Sequence, residues 1–350
     1  MDIIKIGKKK VGAGHPTFFV AELSGNHNQD FNLAMKTIRA MKKAGADAVK
    51  FQTYTADTIT IDSRKKYFLI NDGSVWSGKN LHDLYSEAYT PWNWQPRLKK
   101  YAQKLGMLCF SSPFDPTSVD FLEKMDVPAY KVASYEITDI PLIKNIAGRG
   151  KPVIFSTGVA TLSDIKEAVK VCRGAGNNQI ALLQCVSAYP APFEEMNLRT
   201  IPDMEKEFKV VAGISDHTIG SSVSIAAVAL GAKIVEKHFI LDRRLTGPDS
   251  TFSVAPDEFR QMVDDIRSVE KALGKADYEL TPSSKIARWN IRSLFVVENV
   301  KKGEEFSEKN VRSIRPGYGL APKYLSEVIG KKATKDIKKG TPLDRKMIGL

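Results

Sequence analysis

The first 275 residues alternate two patterns of apolar positions. Eight short segments are apolar at nearly every position and rich in β-branched residues, which is typical of strands buried on both faces of a parallel sheet. These segments are 18–23, 47–53, 107–112, 129–134, 152–157, 179–186, 209–215 and 233–240. Eight strand–helix units predict a (β/α)8 TIM barrel, an α/β fold. A doubly wound open sheet is the alternative, although no Gly-x-Gly-x-x-Gly motif follows the first strand.

The segments between the predicted strands carry helical periodicity. One example is a predicted helix that would pack against the sheet through a single apolar face, formed by Phe31, Ala34, Ile38 and Met41. The segment 67–94 is longer than the other connections and rich in aromatic residues. A long connection inside a compact domain is often functional, so we expect this segment to cover a substrate site.

A smaller unit is predicted at the C-terminal end. The polar, proline-containing segment 281–290 would link a barrel domain, 1–280, to a β-rich domain, 291–350. Within the second domain the string VKKG at 300–303 recurs as IKKG at 337–340. This repeat predicts two similar halves, each with a turn at its Lys-Lys-Gly sequence.

Composition excludes several classes of protein. Hydrophobic residues make up 43% and charged residues 26%, which is ordinary for a globular chain. Three cysteines in a chain of this length argue against a disulfide scaffold and for a reducing compartment. No apolar run reaches the roughly 18 residues of a membrane span, and the first residues lack a signal-peptide pattern. We therefore expect a cytoplasmic protein with no membrane partner.

The formal charge of +12 is concentrated near the C-terminal end. From Thr281 onward, 16 lysines and arginines stand against seven acidic residues. Such a basic module can bind nucleic acid or small anions, or can simply keep the chain soluble. No zinc-finger, helix-turn-helix or RNA-recognition pattern is present, so we expect no nucleic-acid partner.

Polar side chains stand at the C-terminal end of every predicted strand, where TIM barrels place their chemistry. Lysines and serines suit the phosphate and carboxylate groups of an anionic ligand, and two histidines on neighbouring strands can share a divalent metal. The residues concerned are Glu22, Lys50, Gln52, Ser111, Ser112, Lys131, Ser134, Glu136, Ser156, Ser187, Ser215, Asp216, His217, Glu236 and His238. Their convergence predicts a single site at this end of the barrel.

Several of these residues also have structural interpretations. Lys50 could be held in an ion pair with Glu22 or Glu136, because a lysine inside an apolar strand needs a partner. Asp216 could cap the next helix. Cys185 has no acid–base partner that the sequence places beside it, and we interpret it as structural.

The strings at these strand ends match a known family. The chain resembles the sialic acid synthases along essentially its whole length, and its C-terminal part resembles the antifreeze-like (SAF) module of that family. The strings are AELSGNHN (21–28), DAVKFQTYTADT (47–58), FSSPFD (110–115), YKVASYE (130–136), STG (156–158), GISDHT (213–218), EKHF (236–239), GPDSTFS (247–253) and SIRPGYGLAP (313–322). The strings ELSGNH, KFQTYTADT, EAYTPWNW and RSLFVV are most like those of the pseudaminic acid synthases.

The resemblance implies a chemistry. Phosphoenolpyruvate would condense with the aldehyde of an N-acetylated amino-hexose, such as 2,4-diacetamido-2,4,6-trideoxy-L-altrose, to give a nine-carbon 2-keto sugar acid and phosphate. Legionaminic acid and N-acetylneuraminic acid synthases are the alternatives within the family. Two alternatives lie outside the family. One is a Schiff-base aldolase that uses Lys50 or Lys131. The other is a sugar- or nucleic-acid-binding protein that acts through the basic module.

The resemblance also assigns roles to residues. Glu22 would be the catalytic carboxylate, and His217 and His238 would hold a divalent metal, with Mn2+ preferred over Mg2+ or Co2+. Phosphoenolpyruvate would lie against Lys50, Ser112, Lys131, Ser134, Ser156, Ser187 and Ser215. The sugar would lie against Gln52, Tyr189, Asp249 and Arg315.

The family pattern has Arg315 reaching into the partner subunit, which implies a domain-swapped homodimer. Two departures from the family pattern concern substrate contacts. Leu23 and Ser24 replace the usual residues between the first glutamate and asparagine, and Ser187 stands where sialic acid synthases have asparagine.

Overall fold

A computed structural model describes residues 3–349 of the chain. The chain forms two compact units that divide between Gly274 and Lys275, slightly before the boundary predicted at residue 280. None of the helices in this range is both long and apolar enough to span a bilayer.

A β-hairpin that the sequence analysis did not anticipate opens the first unit. Strands β1 (Ile3–Ile6) and β2 (Lys9–Gly12) pair antiparallel, and Ile4, Ile6 and Val11 are buried in the core. The backbone amide of Lys5 donates to Gln179 Oε1 at 3.4 Å, just before a barrel strand begins. The hairpin therefore covers the N-terminal end of the barrel, opposite the end that carries the polar residues.

Eight parallel strands close into a barrel, which confirms the predicted fold class. Each strand pairs with the next along the chain, and the last pairs with the first. The strands are β3 (Phe18–Glu22), β4 (Ala48–Thr53), β5 (Leu108–Pro113), β6 (Tyr130–Val132), β7 (Val153–Ser156), β8 (Ile180–Cys185), β9 (Val211–Asp216) and β10 (Ile234–His238). All eight lie within or overlap the predicted segments.

Helices surround the barrel. They are α1 (Phe31–Lys43), α2 (Ala56–Ile59), α3 (Leu81–Ala88), α4 (Gln95–Lys104), α5 (Pro116–Lys124), α6 (Ile140–Ala147), α7 (Leu162–Gly174), α8 (Thr200–Phe208), α9 (Ser222–Ala229) and α10 (Pro256–Leu273). Asp30 caps α1 by accepting from the amides of Asn32 and Leu33, which satisfies donors that the first turn leaves free. Ile38 and Phe259 pack in one core cluster, where each buried side chain stabilises the fold by roughly 1.5–3 kcal/mol.

The long connection after β4 contains α2, α3 and a loop between them. The loop is closed at its base, because the amide of Ile70 donates to Lys79 O at 2.9 Å and that of Gly78 to Ile70 O at 2.8 Å. The indole Nε1 of Trp76, near its tip, donates to Pro248 O at 2.7 Å, in the connection that follows β10. The connection therefore crosses the C-terminal end of the barrel.

The second unit is small and rich in short β-segments, as predicted. It contains α11 (Pro282–Ala287), β11 (Ser293–Val296), β12 (Val311–Ile314) and α12 (Leu325–Val328). Strands β11 and β12 pair antiparallel, and their buried side chains share a cluster of their own. The predicted linker 281–290 includes helix α11.

The sequence repeat has a structural counterpart in this unit. Val300 and Ile337, which are equivalent in the repeat, exchange both of their backbone hydrogen bonds, at 2.9 and 2.7 Å. The amides of Lys302 and Lys339, also equivalent, donate to Asp336 Oδ1 and Asn299 Oδ1, at 2.8 and 2.9 Å. The two halves therefore pair with approximate twofold symmetry.

Candidate active site

Four charged side chains meet inside the C-terminal end of the barrel. Lys50 Nζ lies 2.6 Å from Glu22 Oε2 and 3.5 Å from Glu236 Oε1, and Lys131 Nζ lies 3.9 Å from Glu236 Oε1. All four residues are at most 5% exposed. The ion pair between Lys50 and Glu22 that the sequence suggested is therefore present, while Glu136 is not part of it. When both carboxylates are ionised, two positive and two negative charges balance each other.

The two carboxylates of this cluster have opposite pKa shifts. Burial raises the pKa of Glu22 to about 7, against the opposing effect of Lys50. Burial also disfavours the charged form of Glu236, but Lys131, Lys50 and the Ser215 hydroxyl together hold its pKa below the ordinary value. Glu236 is thus a fixed negative charge at neutral pH. Glu22 can accept and release a proton there, as acid–base catalysis requires.

A cradle of hydroxyl groups surrounds Lys131. Its Nζ donates to Ser156 Oγ at 2.5 Å, and Ser134 Oγ accepts from the amide of Val159 at 3.0 Å. A Cβ atom added to Gly158 would lie 2.4 Å from Ser187 Oγ and 2.9 Å from Ser134 Oγ. The chain therefore passes so close to both serines that a side chain at this position would displace their hydroxyl groups.

Two hydroxyls in the barrel mouth have no hydrogen-bond partner within the described chain. Ser112 Oγ and Ser187 Oγ are buried and unpaired, whereas Ser215 Oγ donates to Glu236 Oε1 at 3.0 Å. A buried hydroxyl without a partner costs about 1–3 kcal/mol. Both unpaired groups are accounted for if they bind a polar ligand.

The two histidines lie side by side, with ring centroids 5.4 Å apart. Nδ1 of His217 lies 2.9 Å from Val186 O, and Nδ1 of His238 lies 3.1 Å from Ser24 Oγ. These contacts leave the Nε2 atom of each ring for another ligand. Burial lowers the pKa of His217 to about 4 and that of His238 well below its usual value, so both rings are neutral. Neutral imidazole is the form that binds metals.

A fully buried ion pair lies directly behind the histidines. Lys237 Nζ lies 2.8 Å from Asp216 Oδ2, and Asp216 also accepts from the Thr218 amide and from the Ser224 hydroxyl. Asp216 is not the N-cap of α9, because Ser221 occupies that position. The capping role suggested for Asp216 is therefore wrong, and its carboxylate instead joins the chain segments that carry His217 and His238.

An aromatic cluster covers the other side of the histidines. The Tyr189 ring lies 4.3 Å from that of His217, and the Phe252 ring lies 5.0 Å from that of His238. Trp76 extends the cluster, with its ring 5.1 Å from Tyr189. The imidazoles therefore lie between this aromatic cluster and the charged groups inside the barrel.

The remaining sugar-binding candidates lie in different surroundings. Gln52 is half-buried on β4, in register with Ser112 on β5. Asp249 is buried and accepts from the Gly25 amide at 3.1 Å. Arg315 is exposed and follows β12 in the second unit. Cys185 is buried, and burial raises the pKa of its thiol to about 11, which agrees with a structural interpretation.

Comparison with family models and known proteins accounts for both units. Residues 37–278 match the model of the NeuB family, and residues 291–349 match that of the SAF domain. The chain belongs to the NeuB family. This confirms the resemblance to sialic acid synthases and to their C-terminal module.

Several NeuB-family relatives are similar along nearly their whole length. Pseudaminic acid synthase of Campylobacter jejuni is 45% identical over 326 residues, which cover 93% of this chain and 95% of that protein. Pseudaminic acid synthase of Helicobacter pylori is 44% identical over 329 residues, covering 94% and 96%. The structure of N-acetylneuraminic acid synthetase from Leptospira borgpetersenii has a TM-score of 0.73 at 32% identity and covers 82% of this chain and 95% of that one.

Some residues of the site were not assigned a role from the sequence. The sequence indicated Glu236 and Glu136 at the rim, but only the structure shows that Glu236 contacts both lysines and that Glu136 Oε2 is buried without a hydrogen-bond partner among residues 3–349. Burial raises the pKa of Glu136 to about 7. Trp76 and Phe252 were missed because their positions depend on how two long connections fold over the barrel.

Proposed function

We propose that the protein condenses phosphoenolpyruvate with the aldehyde of an open-chain amino-hexose, giving a nine-carbon 2-keto sugar acid and phosphate. The observation that carries the proposal is that three groups of side chains lie together in one barrel mouth. They are Lys131 with its hydroxyl cradle, the Glu22–Lys50 ion pair, and two neutral imidazoles. Groups that suit an anionic substrate, an acid–base group and two candidate metal ligands thus lie together. The similarity to two pseudaminic acid synthases supports the same reaction.

Phosphoenolpyruvate has two anionic ends, and the site has two groups of residues that suit them. We assign its phosphate to Lys131, Ser134, Ser156, Ser187 and Ser215. We assign its carboxylate to Lys50 and Ser112. The unpaired hydroxyls of Ser112 and Ser187 support this assignment, because each would gain an acceptor when the anion binds.

We assign a divalent metal, preferably Mn2+, to His217 and His238, with Mg2+ or Co2+ as alternatives. The described residues include no group of three or more His, Cys, Asp or Glu side chains arranged around a metal. Two imidazoles with free Nε2 atoms fit an ion whose other ligands are water and substrate oxygen. A metal bound there supplies positive charge that polarises the sugar aldehyde.

The proposed reaction proceeds in three steps. C3 of phosphoenolpyruvate attacks the aldehyde carbon, whose oxygen takes up a proton and becomes a hydroxyl, and positive charge develops at C2. Water adds to C2, and Glu22, with a pKa of about 7, accepts its proton. The C2–O bond to phosphate breaks, the C2 hydroxyl becomes the ketone and its proton leaves with the phosphate, while the proton that Glu22 accepted from water balances the one taken up by the aldehyde oxygen. Lys131 and its hydroxyl cradle stabilise the departing phosphate.

We propose that the sugar is 2,4-diacetamido-2,4,6-trideoxy-L-altrose, and the product pseudaminic acid. Gln52, Tyr189 and Asp249 are the residues of the barrel that we assign to it. The identities of 45% and 44% to pseudaminic acid synthases support this substrate over the related amino sugars. We place the reaction in the cytoplasm, which three buried, free cysteines support.

We further propose a domain-swapped homodimer in which Arg315 of each chain completes the site of the other. Helix α11 and the residues around it support this, because Ile286 is 76% exposed and Trp289 57% exposed in the single chain. Exposed large apolar side chains close together mark an interaction surface. A second copy of the chain would cover them.

The experiment that tests the reaction is phosphate release from phosphoenolpyruvate with three sugars in parallel. These are the precursors of pseudaminic, legionaminic and N-acetylneuraminic acid. We expect sugar-dependent phosphate release, fastest with the pseudaminic acid precursor. Release with none of the three, or inactivation by borohydride together with substrate, would overturn the proposal in favour of a different barrel chemistry.

A further inference from the structure

The loop 70–79 forms a flap over the barrel mouth. Its base is held by the two backbone hydrogen bonds between Ile70 and the residues Gly78 and Lys79, and by pairing of Leu69 with Asn80. Most of the residues between are exposed, including Val75 at 46%. The flap has little buried surface of its own to keep it against the barrel.

Trp76 is the residue that fastens this flap. Its side chain is half-buried, its Nε1 donates to Pro248 O at 2.7 Å, and its ring lies 5.1 Å from that of Tyr189 and 6.1 Å from that of Phe252. Aromatic contacts of this kind contribute about 0.5–1.5 kcal/mol each beyond area burial. Trp76 therefore sets the position of the flap over the site.

The contacts continue from the flap to the metal-binding candidates. Tyr189 packs on His217, Phe252 packs on His238, and the Tyr189 and Phe252 rings lie 4.9 Å apart. Trp76, Tyr189 and Phe252 thus form one continuous aromatic wall beside both imidazoles. The wall is therefore within reach of a substrate whose reacting aldehyde lies near the imidazoles.

The chemistry of the wall decides what it accepts. The Nε1–H of Trp76 is already used by Pro248, and Phe252 has no polar atom, so among these three side chains the Tyr189 hydroxyl is the one hydrogen-bonding group left for a ligand. A hydroxyl placed against the indole ring of Trp76 would lose its bonds to water, whereas a methyl group there would gain from burial.

We propose that Trp76 is a specificity-determining residue, whose ring forms, beside Tyr189 and backed by the buried Phe252, a subsite for a methyl group of the sugar. The inference rests on the proposed function. The methyl group has two sources in an N-acetylated deoxy sugar: a deoxygenated terminal carbon and an acetamido group. Pairs of sugars that differ only at one of these positions distinguish the two.

The test compares the wild type with Trp76→Ala, Trp76→Phe and, as a matched control on the same flap, Val75→Ala. One pair of sugars carries methyl or hydroxymethyl at the terminal carbon, and a second pair carries N-acetyl or N-formyl groups. A single methyl group in an apolar pocket is worth about 10–100-fold in kcat/KM, so the wild type should prefer the methyl member of at least one pair by such a factor.

Trp76→Ala should raise the KM for the methyl-bearing sugar and reduce that preference at least about fivefold, while the KM for phosphoenolpyruvate stays unchanged. Trp76→Phe should retain most of the preference, and Val75→Ala all of it. The pair of sugars between which Trp76→Ala no longer discriminates shows which methyl group the subsite binds. If Trp76→Ala leaves both preferences intact, or slows both members of each pair equally, the subsite is absent. If the wild type releases no phosphate with any sugar, the proposed function fails first.

Discussion

Lys237 and Asp216 form an ion pair at 2.8 Å in which neither side chain is exposed to solvent. Each residue precedes one of the two histidines in the chain. Taking two charges out of water costs several kcal/mol per ion. The attraction between the two charges offsets this cost, together with further hydrogen bonds from Thr218 and Ser224.

Asp216→Asn should therefore lower the free energy of unfolding by about 3–5 kcal/mol, because it leaves the Lys237 ammonium buried without a counter-charge. Urea denaturation followed by circular dichroism measures this. Asp242→Asn is the matched control, since Asp242 pairs with Arg244 on the surface and should contribute less than about 1 kcal/mol. Equal losses in the two variants would contradict the argument.

Glu22→Gln keeps the shape of the side chain and removes the group that accepts the proton from water. We expect kcat to fall by a factor on the order of 10²–10⁴, with the KM for phosphoenolpyruvate nearly unchanged. Steady-state phosphate release measures both. An unchanged kcat would mean that Glu22 serves only as the ion-pair partner of Lys50.

Chelation should abolish phosphate release, and added Mn2+ should restore it. Two imidazoles are the protein's proposed ligands, so His217→Ala should bind Mn2+ far more weakly than the wild type, by calorimetry as well as by activity. His82→Ala is a control, because His82 lies beside Asp57 on α2, apart from the histidine pair. Full activity of the chelated wild type would rule out the metal.

Gly158→Ala should impair phosphoenolpyruvate binding specifically. The added methyl group would push against Ser187 and Ser134, and displacement of binding groups by about 1 Å can cost up to about 100-fold in kcat/KM. Gly174→Ala, at the end of α7, meets no neighbouring atom within 4 Å and serves as the control. A normal KM and kcat in Gly158→Ala would show that the cradle does not bind the phosphate.

The proposed exchange of Arg315 between subunits can be tested by mixing two inactive variants, Glu22→Gln and Arg315→Ala. In a mixed dimer one site would carry both changes and the other neither, so activity should return in part after subunit exchange. If Arg315 acts within its own chain, every site keeps one change and activity stays low. Exchange is verified independently with a fluorescent label on one variant.

Much of the barrel was predictable because its strands are buried on both faces and stand out as short apolar runs. The hairpin β1–β2 was not, since its strands have four residues each and two of its buried side chains, Ile6 and Val11, flank a run of lysines. The repeat at 300–303 and 337–340 predicted two similar halves. Only the structure shows that the two halves pair with each other through Val300 and Ile337.

The sequence by itself determined which chemical groups stand at the strand ends. Period-two side-chain alternation and the parallel order of the strands bring Glu22, Lys50, Lys131 and His238 to one rim. Only the tertiary structure decided which groups touch: that Glu236 lies between both lysines, that a Cβ at Gly158 would meet two serine hydroxyls, and that Trp76, from a distant connection, packs on the tyrosine that contacts His217. The physical reason is that spacing along a strand orients side chains, whereas distances across a barrel depend on the register of all eight strands and on how the long connections pack.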